Sequence, residues 1–495
     1  MNILMIYPEF PDTFWSFKHA LYFVRKKASS PPLGLVTVAA MLPPEWNKRL
    51  IDLNVTPLQE KDLAWADMAL VSAMVVQRDS AQEVIHRCKT HGLPVVAGGP
   101  LFTSESEHFA EVDYFVLNEG ELTLPAFIRD FQRGEAQRVY SSTEYADMSQ
   151  TPVPSWELVD MRRYDSMSIQ FSRGCPFNCD FCNVTALLGH RPRLKSKEQI
   201  LAELDKIYSL GWRRNIFFVD DNFIGNKKVL KEEILPALIE WRKDKTGCLF
   251  ITEASINLAD DPELMDLMTR AGFVSVFVGI ETPAEESLTE CHKSQNKNRD
   301  LIESVKSLQR AGLQVMGGFI VGFDSDTPSI FQRQIDFIQK SGIVTAMVGL
   351  LQAPHGTQLY ERMREEGRLL DEMSGDNVDG STNIVPKMDA QVLMEGYRQI
   401  LEEIYSPKLF YERVRNFLAE YKPAKTTVHI ETQEILAFFR SVYLLGIRGK
   451  ERRYYWRLLG WTIARAPQKF ALAVTLAIYG FHFRKVKDLH VQAPA

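Results

Sequence analysis

Apolar positions along the first third of the chain fall into short runs of strand-like and helix-like character. The residues 3–7, 33–41, 50–53, 68–73, 80–89, 94–98 and 114–117 form this series. Short apolar strands separated by helices predict a parallel, doubly wound sheet. Residues 142–157, with Pro152 and Pro154, carry no long period and read as a linker, so a boundary is expected near 150–160. From residue 166 the alternation resumes with longer helices. Strand-like runs at 168–171, 215–219, 249–253, 275–280, 315–321 and 346–350 predict about six strands, which suits a partial (β/α)6 barrel. Beyond residue 388 strand signals stop, and helical patterns rich in Leu, Tyr, Phe and Arg take over.

The expected fold is therefore α/β, divided into a Rossmann-like domain at 1–150, a partial barrel at 160–387 and a helical domain at 388–495. A length of 495 residues agrees with this, since single cores stop growing at roughly 250–300 residues. The apolar run 470–483 falls short of the roughly 20 residues that span a bilayer. Two readings stay open for it: a core helix, or a surface that docks on a membrane with help from Arg452-Arg453-Tyr454-Tyr455-Trp456-Arg457. A net charge of −5 gives no general signal for binding nucleic acid. The first eight residues read as a buried strand rather than a signal peptide. The six cysteines do not form a disulfide framework, and a reducing cytoplasm is expected.

Three cysteines, Cys175, Cys179 and Cys182, crowd into eight residues after a strand. Soft thiolates select zinc or an iron–sulfur cluster. A structural zinc site wants a fourth nearby ligand, and His190, eight residues past Cys182, has no pairing partner. Three ligands instead suit a [4Fe-4S] cluster with one iron left open. Cys88, Cys248 and Cys291 are scattered; Cys248 and Cys291 read as buried or surface thiols.

The spacing Cys-x3-Cys-x2-Cys, preceded by Ser172-Arg173-Gly174 and carrying Phe181 before the last cysteine, resembles the radical S-adenosylmethionine (SAM) superfamily. The resemblance implies that the open iron chelates SAM, with Phe181 near the adenine. It assigns Asp220 and Asp221 to the place of a Gly-Gly-Glu motif that receives the SAM ammonium. Glu253, Ser255 and Glu281 fall where relatives hold the ribose and methionyl ends. Gly318 and Gly322, in Gly318-Phe-Ile-Val-Gly322-Phe-Asp324, match a motif that holds the adenine, with Asp324 one residue earlier than the usual acid.

The N-terminal sheet resembles cobalamin-binding domains. Ser72-Ala73-Met74 matches their Ser-x-Leu strand end and Gly98-Gly99 their Gly-Gly strand end. Asn118-Glu119-Gly120-Glu121 matches the turn after the last strand, and the loop ending at Leu33-Gly34 resembles the radical enzymes' version. The usual Asp-x-His-x-x-Gly loop is missing. His19 lies in a helical stretch, so no histidine is assigned to cobalt, whose lower face is left to water or to a non-histidine group on the loop Met74–Arg78, Gln77 or Arg78.

Taken whole, the chain resembles the cobalamin-dependent radical SAM class B methylases, in the subgroup that includes the hopanoid C-2 methylases. This implies a methyltransferase that moves a methyl group via methylcobalamin to an unactivated carbon, of a hopanoid or another lipid. It further implies a small apolar substrate, an electron donor such as a ferredoxin or flavodoxin, and a cytoplasmic protein with peripheral contact at the inner face of the membrane. Alternatives on the same chassis are cyclisation or methylation of a tetrapyrrole or secondary metabolite, and, from another class, a non-catalytic cofactor sensor.

Overall fold

The computed structural model describes residues 1–370, 373–376, 379–423 and 432–491. Its first sheet is six parallel strands, β1 (Asn2–Tyr7), β2 (Asn47–Asp52), β3 (Met68–Ser72), β4 (Val95–Gly98), β5 (Tyr114–Val116) and β6 (Val139–Tyr140), in the order β2-β1-β3-β4-β5-β6. Helices cover both faces, which explains why the strands read as continuous apolar runs. Ile3 and Met5 of β1 pack with Leu35, Leu124 and Phe127 on one side. Leu4 and Ile6 pack with Ile85, Leu101 and Phe102 on the other. The strand order reverses between β1 and β3, and ligands of such sheets bind in the crevice that opens there, at the carboxyl ends. Strand β6 has only two residues, too few to show a period.

A second parallel sheet has the order β14-β13-β12-β11-β10-β7 and forms the partial barrel. Its strands are β7 (Met167–Ile169), β10 (Ile216–Phe218), β11 (Phe250–Glu253), β12 (Phe273–Glu281), β13 (Gln314–Val321) and β14 (Ala346–Leu350). Between β7 and β10 lies a short antiparallel pair, β8 (Ser172–Arg173) and β9 (Arg193–Leu194), which closes the loop holding the three cysteines. The strand anticipated at 168–171 therefore stops at Ile169. The cause is Asp220, whose carboxylate accepts the N–H groups of Phe171 (3.0 Å) and Ser172 (2.5 Å) and turns the chain out of the sheet.

Residues 142–157 are irregular but docked, with Trp156 fully buried in the barrel core. The C-terminal part is helical. The helices Ala390–Ile404, Pro407–Glu420, Thr432–Ser441, Arg452–Arg465 and Phe470–Val491 add their apolar faces to the barrel core rather than building one of their own. The run 470–483 takes the first of its two readings. Ala473, Leu476, Ala477 and Phe483 are buried, and the Phe483 ring lies 5.5 Å from Phe14 and 5.3 Å from Tyr405. Among the described residues no helix is long and apolar enough to cross a membrane.

One shared core has a measurable consequence. Phe483→Ala is expected to cost about 3–5 kcal/mol and to shift the denaturation curve of barrel and helices together. A separate early transition of the C-terminal helices would show two independent cores.

Candidate active site

Cys175, Cys179 and Cys182 line one cavity at the carboxyl ends of the barrel strands, together with Phe181, Asp221, Glu253, Ser255 and Glu281. The loop that carries the thiols is fixed locally. Gly174 has φ +94°, and a Cβ there would lie 2.9 Å from the carbonyl oxygens of Gly189 and Arg191, so no other residue fits. Asn222 Nδ2 lies 3.9 Å from Cys175 Sγ, and Gln295 Nε2 lies 3.7 Å from Cys179 Sγ. Amide donors aimed at sulfur are the contacts that tune iron–sulfur clusters. Burial pushes all three thiols up, Cys182 to about 12. Among the described residues no three His, Cys, Asp or Glu side chains converge on a single-ion centre. Three thiols spread round a cavity, with amide donors behind them, fit a cluster.

The acidic residues divide in two. Asp221 and Glu253 face the cavity, whereas Asp220 does not. Asp220 is fully buried, and besides the two N–H groups it accepts the Ser172 hydroxyl at 2.5 Å. Its assignment to the SAM ammonium is corrected: it braces the strand that leads into the cysteine loop. Burial, and then the charges of Asp221 and Asp220, push Glu253 up to about 8. Burial likewise raises Asp221 to about 6. Carboxyls raised in this way lack a positive partner, and a cationic ligand would supply one. The Ser255 hydroxyl lies 2.7 Å from Asn257 Oδ1 and 3.2 Å from Asn222 Oδ1.

Lys293, for which the sequence carries no signal, is the one lysine or arginine in the cavity lining among the described residues. Its Nζ lies 2.7 Å from Glu281 Oε1 and 5.9 Å from the Phe181 ring centre. Glu281 itself sits at φ +62°, a strained conformation for a residue with a Cβ. Gly318 and Gly322 are outside the lining. A Cβ on Gly318 would meet the Phe277 ring at 2.8 Å, so this glycine makes room for an aromatic wall of the cavity. Gly322, at φ +103°, donates its N–H to Asp326 at 2.9 Å, and Asp324 is paired with Arg368 at 2.6 Å. Cys248 and Cys291 are buried outside the lining, Cys291 behind the cysteine loop, where its carbonyl accepts the Asp180 N–H at 3.2 Å.

The residues assigned to cobalamin gather at the carboxyl edge of the first sheet, but several are already engaged. Gln77 is 1% exposed; its amide donates to Pro8 O at 2.5 Å and accepts from Met74 N at 2.9 Å, so both of its polar atoms are engaged and buried within the protein. Arg78 is paired with Glu105 at 2.7 Å. Gly98 and Gly99 answer to crowding within the protein, because a Cβ on either would come within 2.6 Å of Val116 O or Ser72 Oγ. Met74 is 48% exposed, and Gly34, at the start of the helix Leu33–Met41, has open space around it. His19 lies beside Asp12 and His482, under the C-terminal helices.

Glu119 and Glu121 take a different role from the one anticipated. They flank Gly120 at the start of the helix Gly120–Arg133 and are ion-paired across to the cysteine hairpin. Arg173 bonds Glu121 at 2.8 Å and Glu119 at 3.2 Å, while Arg193 bonds Glu119 at 2.7 Å. Burial would raise Glu121, but Arg173 outweighs it and holds the carboxyl at about 2. The cobalamin-type sheet is thus clamped to the loop that carries the cysteines.

Residues 23–128 match the B12 binding domain, 169–338 the radical SAM superfamily and 357–494 a domain of unknown function. The chain is 34% identical to the hopanoid C-2 methylase of Rhodopseudomonas palustris, covering 92% of this chain and 88% of that one. It belongs to the cobalamin-dependent radical SAM methylases. A methylase of this kind uses a [4Fe-4S] cluster, SAM and cobalamin. This one is also 40% identical to an uncharacterized methyltransferase of Synechocystis, over 99% of this chain and 92% of the relative. Two solved structures share the fold. The cobalamin-dependent SAM radical enzyme OxsB aligns with a TM-score of 0.63 at 16% identity, over 99% of this chain and 80% of its own. TsrM from Kitasatospora setae aligns with a TM-score of 0.59 at 15% identity, over 87% and 92%.

The raised carboxyl of Glu253 makes the methylase's stability depend on pH. Folded, this group holds a proton up to about 8, whereas unfolded it loses it near its ordinary value of 4.5. The native state therefore binds more protons across that window, and stability falls as pH rises through it. Glu253→Gln is expected to flatten the decline by about 1 kcal/mol per pH unit between these limits. Identical slopes for both proteins would show that Glu253 is ionised in the native state.

Proposed function

We propose that this C-methyltransferase acts on an unactivated carbon of an apolar, hopanoid-like lipid. The observation that carries this reading is the identity with the hopanoid C-2 methylase over nearly the whole of both chains. The cavity's aromatic wall of Phe177, Phe181 and Phe277 supports it, as does Trp15, whose ring lies 4.9 Å from Phe277. Apolar, aromatic walls suit a substrate with little to hydrogen-bond.

In this reading Cys175, Cys179 and Cys182 hold the cluster. Asp221, Glu253 and Ser255 would receive the amino and ribose groups of SAM, Lys293, oriented by Glu281, would receive its carboxylate, and Phe181 would lie against the adenine. Leu33, Gly34, Ser72, Met74, Gly98 and Gly99 would form the edge that holds cobalamin. The cluster with SAM supplies a radical that removes hydrogen from carbon, and cobalamin supplies the methyl group. The protein's own part is to hold both cofactors toward one dry cleft and to keep water from it. No residue need take up a proton at an unactivated carbon. An electron donor such as a ferredoxin or flavodoxin, and peripheral contact with a membrane through the C-terminal helices, complete the reading. The three units proposed for these tasks are 1–150, 160–387 and 388–495.

The test is anaerobic turnover of the reconstituted enzyme with lipid extracted from a strain lacking the gene. Formation of 5'-deoxyadenosine and S-adenosylhomocysteine, with one lipid gaining one methyl group, is expected. Absence of both nucleoside products would sink the methyltransferase reading. Their formation only with a tetrapyrrole or another polar metabolite would overturn the lipid assignment.

A further inference from the structure

The C-terminal helices bury one side in the shared core, and among the described residues nothing covers the other. On the helix Thr432–Ser441 and its π-helical continuation Val442–Arg448, the residues Ala437, Ser441 and Leu445 are buried. Four residues apart on the outer side stand Ile435, Phe439, Tyr443 and Ile447, exposed by 50, 60, 49 and 59%. The next helix, Arg452–Arg465, buries Tyr455, Leu458, Leu459 and Thr462, and turns Trp456 and Ile463 outward. Trp456 Nε1 donates to Gly446 O at 2.9 Å, which fastens the two helices so that their outer strips adjoin. Scattered exposed apolar residues are ordinary; a contiguous row across two helices marks an interaction surface.

Charge decides what the surface fits. Residues 432–491 contain eleven lysines and arginines and three acidic residues, Glu434, Glu451 and Asp488, although the whole chain carries −5. Glu451 is buried and paired with Arg484 at 2.8 Å, so it does not offset the cations outside. Arg452, Arg453 and Arg457 lie on the exposed side of their helix next to Trp456, and the Arg448 guanidinium is 5.2 Å from the Tyr443 ring centre. Aromatic and aliphatic side chains beside arginines, in a segment where cations far outnumber acids, suit a sheet of anionic headgroups over hydrocarbon.

We propose that this face, formed by Phe439, Tyr443, Ile447, Trp456 and Ile463 with their arginine rim, docks the methylase on an anionic lipid bilayer. The proposal deepens the lipid reading and rests on it for its purpose, though not for its test. The helix Lys18–Val24 ties the face to the site. It packs against both Thr432–Ser441 and Phe470–Val491, Arg440 donates to Phe23 O, and Tyr22 stands 65% exposed beside them. The loop just before this helix carries Trp15 onto Phe277 of the cavity wall. Lipid uptake and chemistry thus fall on neighbouring elements.

Flotation of the full-length, cofactor-loaded protein with vesicles tests this. Vesicles of one part phosphatidylglycerol to three parts phosphatidylcholine are expected to bind at least about tenfold more protein than phosphatidylcholine alone, less so in high salt. Phe439→Ser with Ile447→Ser is expected to reduce binding about tenfold or more. Arg453→Ala with Arg457→Ala is expected to reduce it comparably and to weaken the salt dependence. All four side chains are exposed, and unchanged circular dichroism would confirm intact folds. Equal binding to neutral vesicles, no binding, or binding untouched by either pair would overturn the proposal. So would self-association that the Phe439/Ile447 pair abolishes without vesicle binding. Failure here leaves turnover of detergent-dispersed lipid intact, which separates it from failure of the lipid reading.

Discussion

The short hairpin that carries the cysteines is held from two directions by buried charge. Inside the barrel, Asp220 gathers the N–H groups of Phe171 and Ser172 and the Ser172 hydroxyl. From the N-terminal sheet, Glu119 and Glu121 reach across to Arg173 and Arg193. Removing one member of a buried, fully bonded pair costs about 3–5 kcal/mol, because the partner is left charged and dry. Such a network therefore tolerates one arrangement and few others. What it fixes here is the orientation of three thiols relative to the carboxyl edge of a sheet that belongs to another part of the fold. The cavity, its acidic wall and the edge facing it inherit their placement from this hairpin.

The cavity's electrostatics follow from that placement. Asp221, Glu253 and Glu281 face it with one cation, Lys293, among them. Lys293 is spent on Glu281, which leaves Glu253 without a positive neighbour and its carboxyl raised to about 8. A wall in this state favours a ligand that carries positive charge at one end and an apolar body at the other. The methionyl ammonium and the sulfonium of SAM would supply that charge, and Phe177, Phe181 and Phe277 line the same cavity.

Much of this was legible from local pattern. The cysteine spacing, the two series of parallel strands and the switch to helices after residue 388 depend on neighbours in sequence, and the structure has them. What was not legible depends on distance or direction. Asp220 and Asp221 are adjacent at a strand end, where successive side chains point to opposite sides, and spacing cannot say which meets the cavity. Glu119 and Glu121 read as a cofactor turn, because their partners stand 52 to 74 residues away. Gln77 looked available to cobalt until Pro8, 69 residues earlier, proved to hold its amide. Gly98 and Gly99 were explained by a ligand, yet Val116 and Ser72 already require them. Lys293 stands on a loop with no motif around it.

The central claim is that the three thiols hold a cluster with one iron open to SAM. Electron paramagnetic resonance of the anaerobically reconstituted, reduced methylase tests it most directly. The account predicts a [4Fe-4S] signal whose shape changes when SAM is added, and which Cys179→Ala no longer shows in that form. A cluster signal indifferent to SAM, or one that survives loss of Cys179 unchanged, would contradict it.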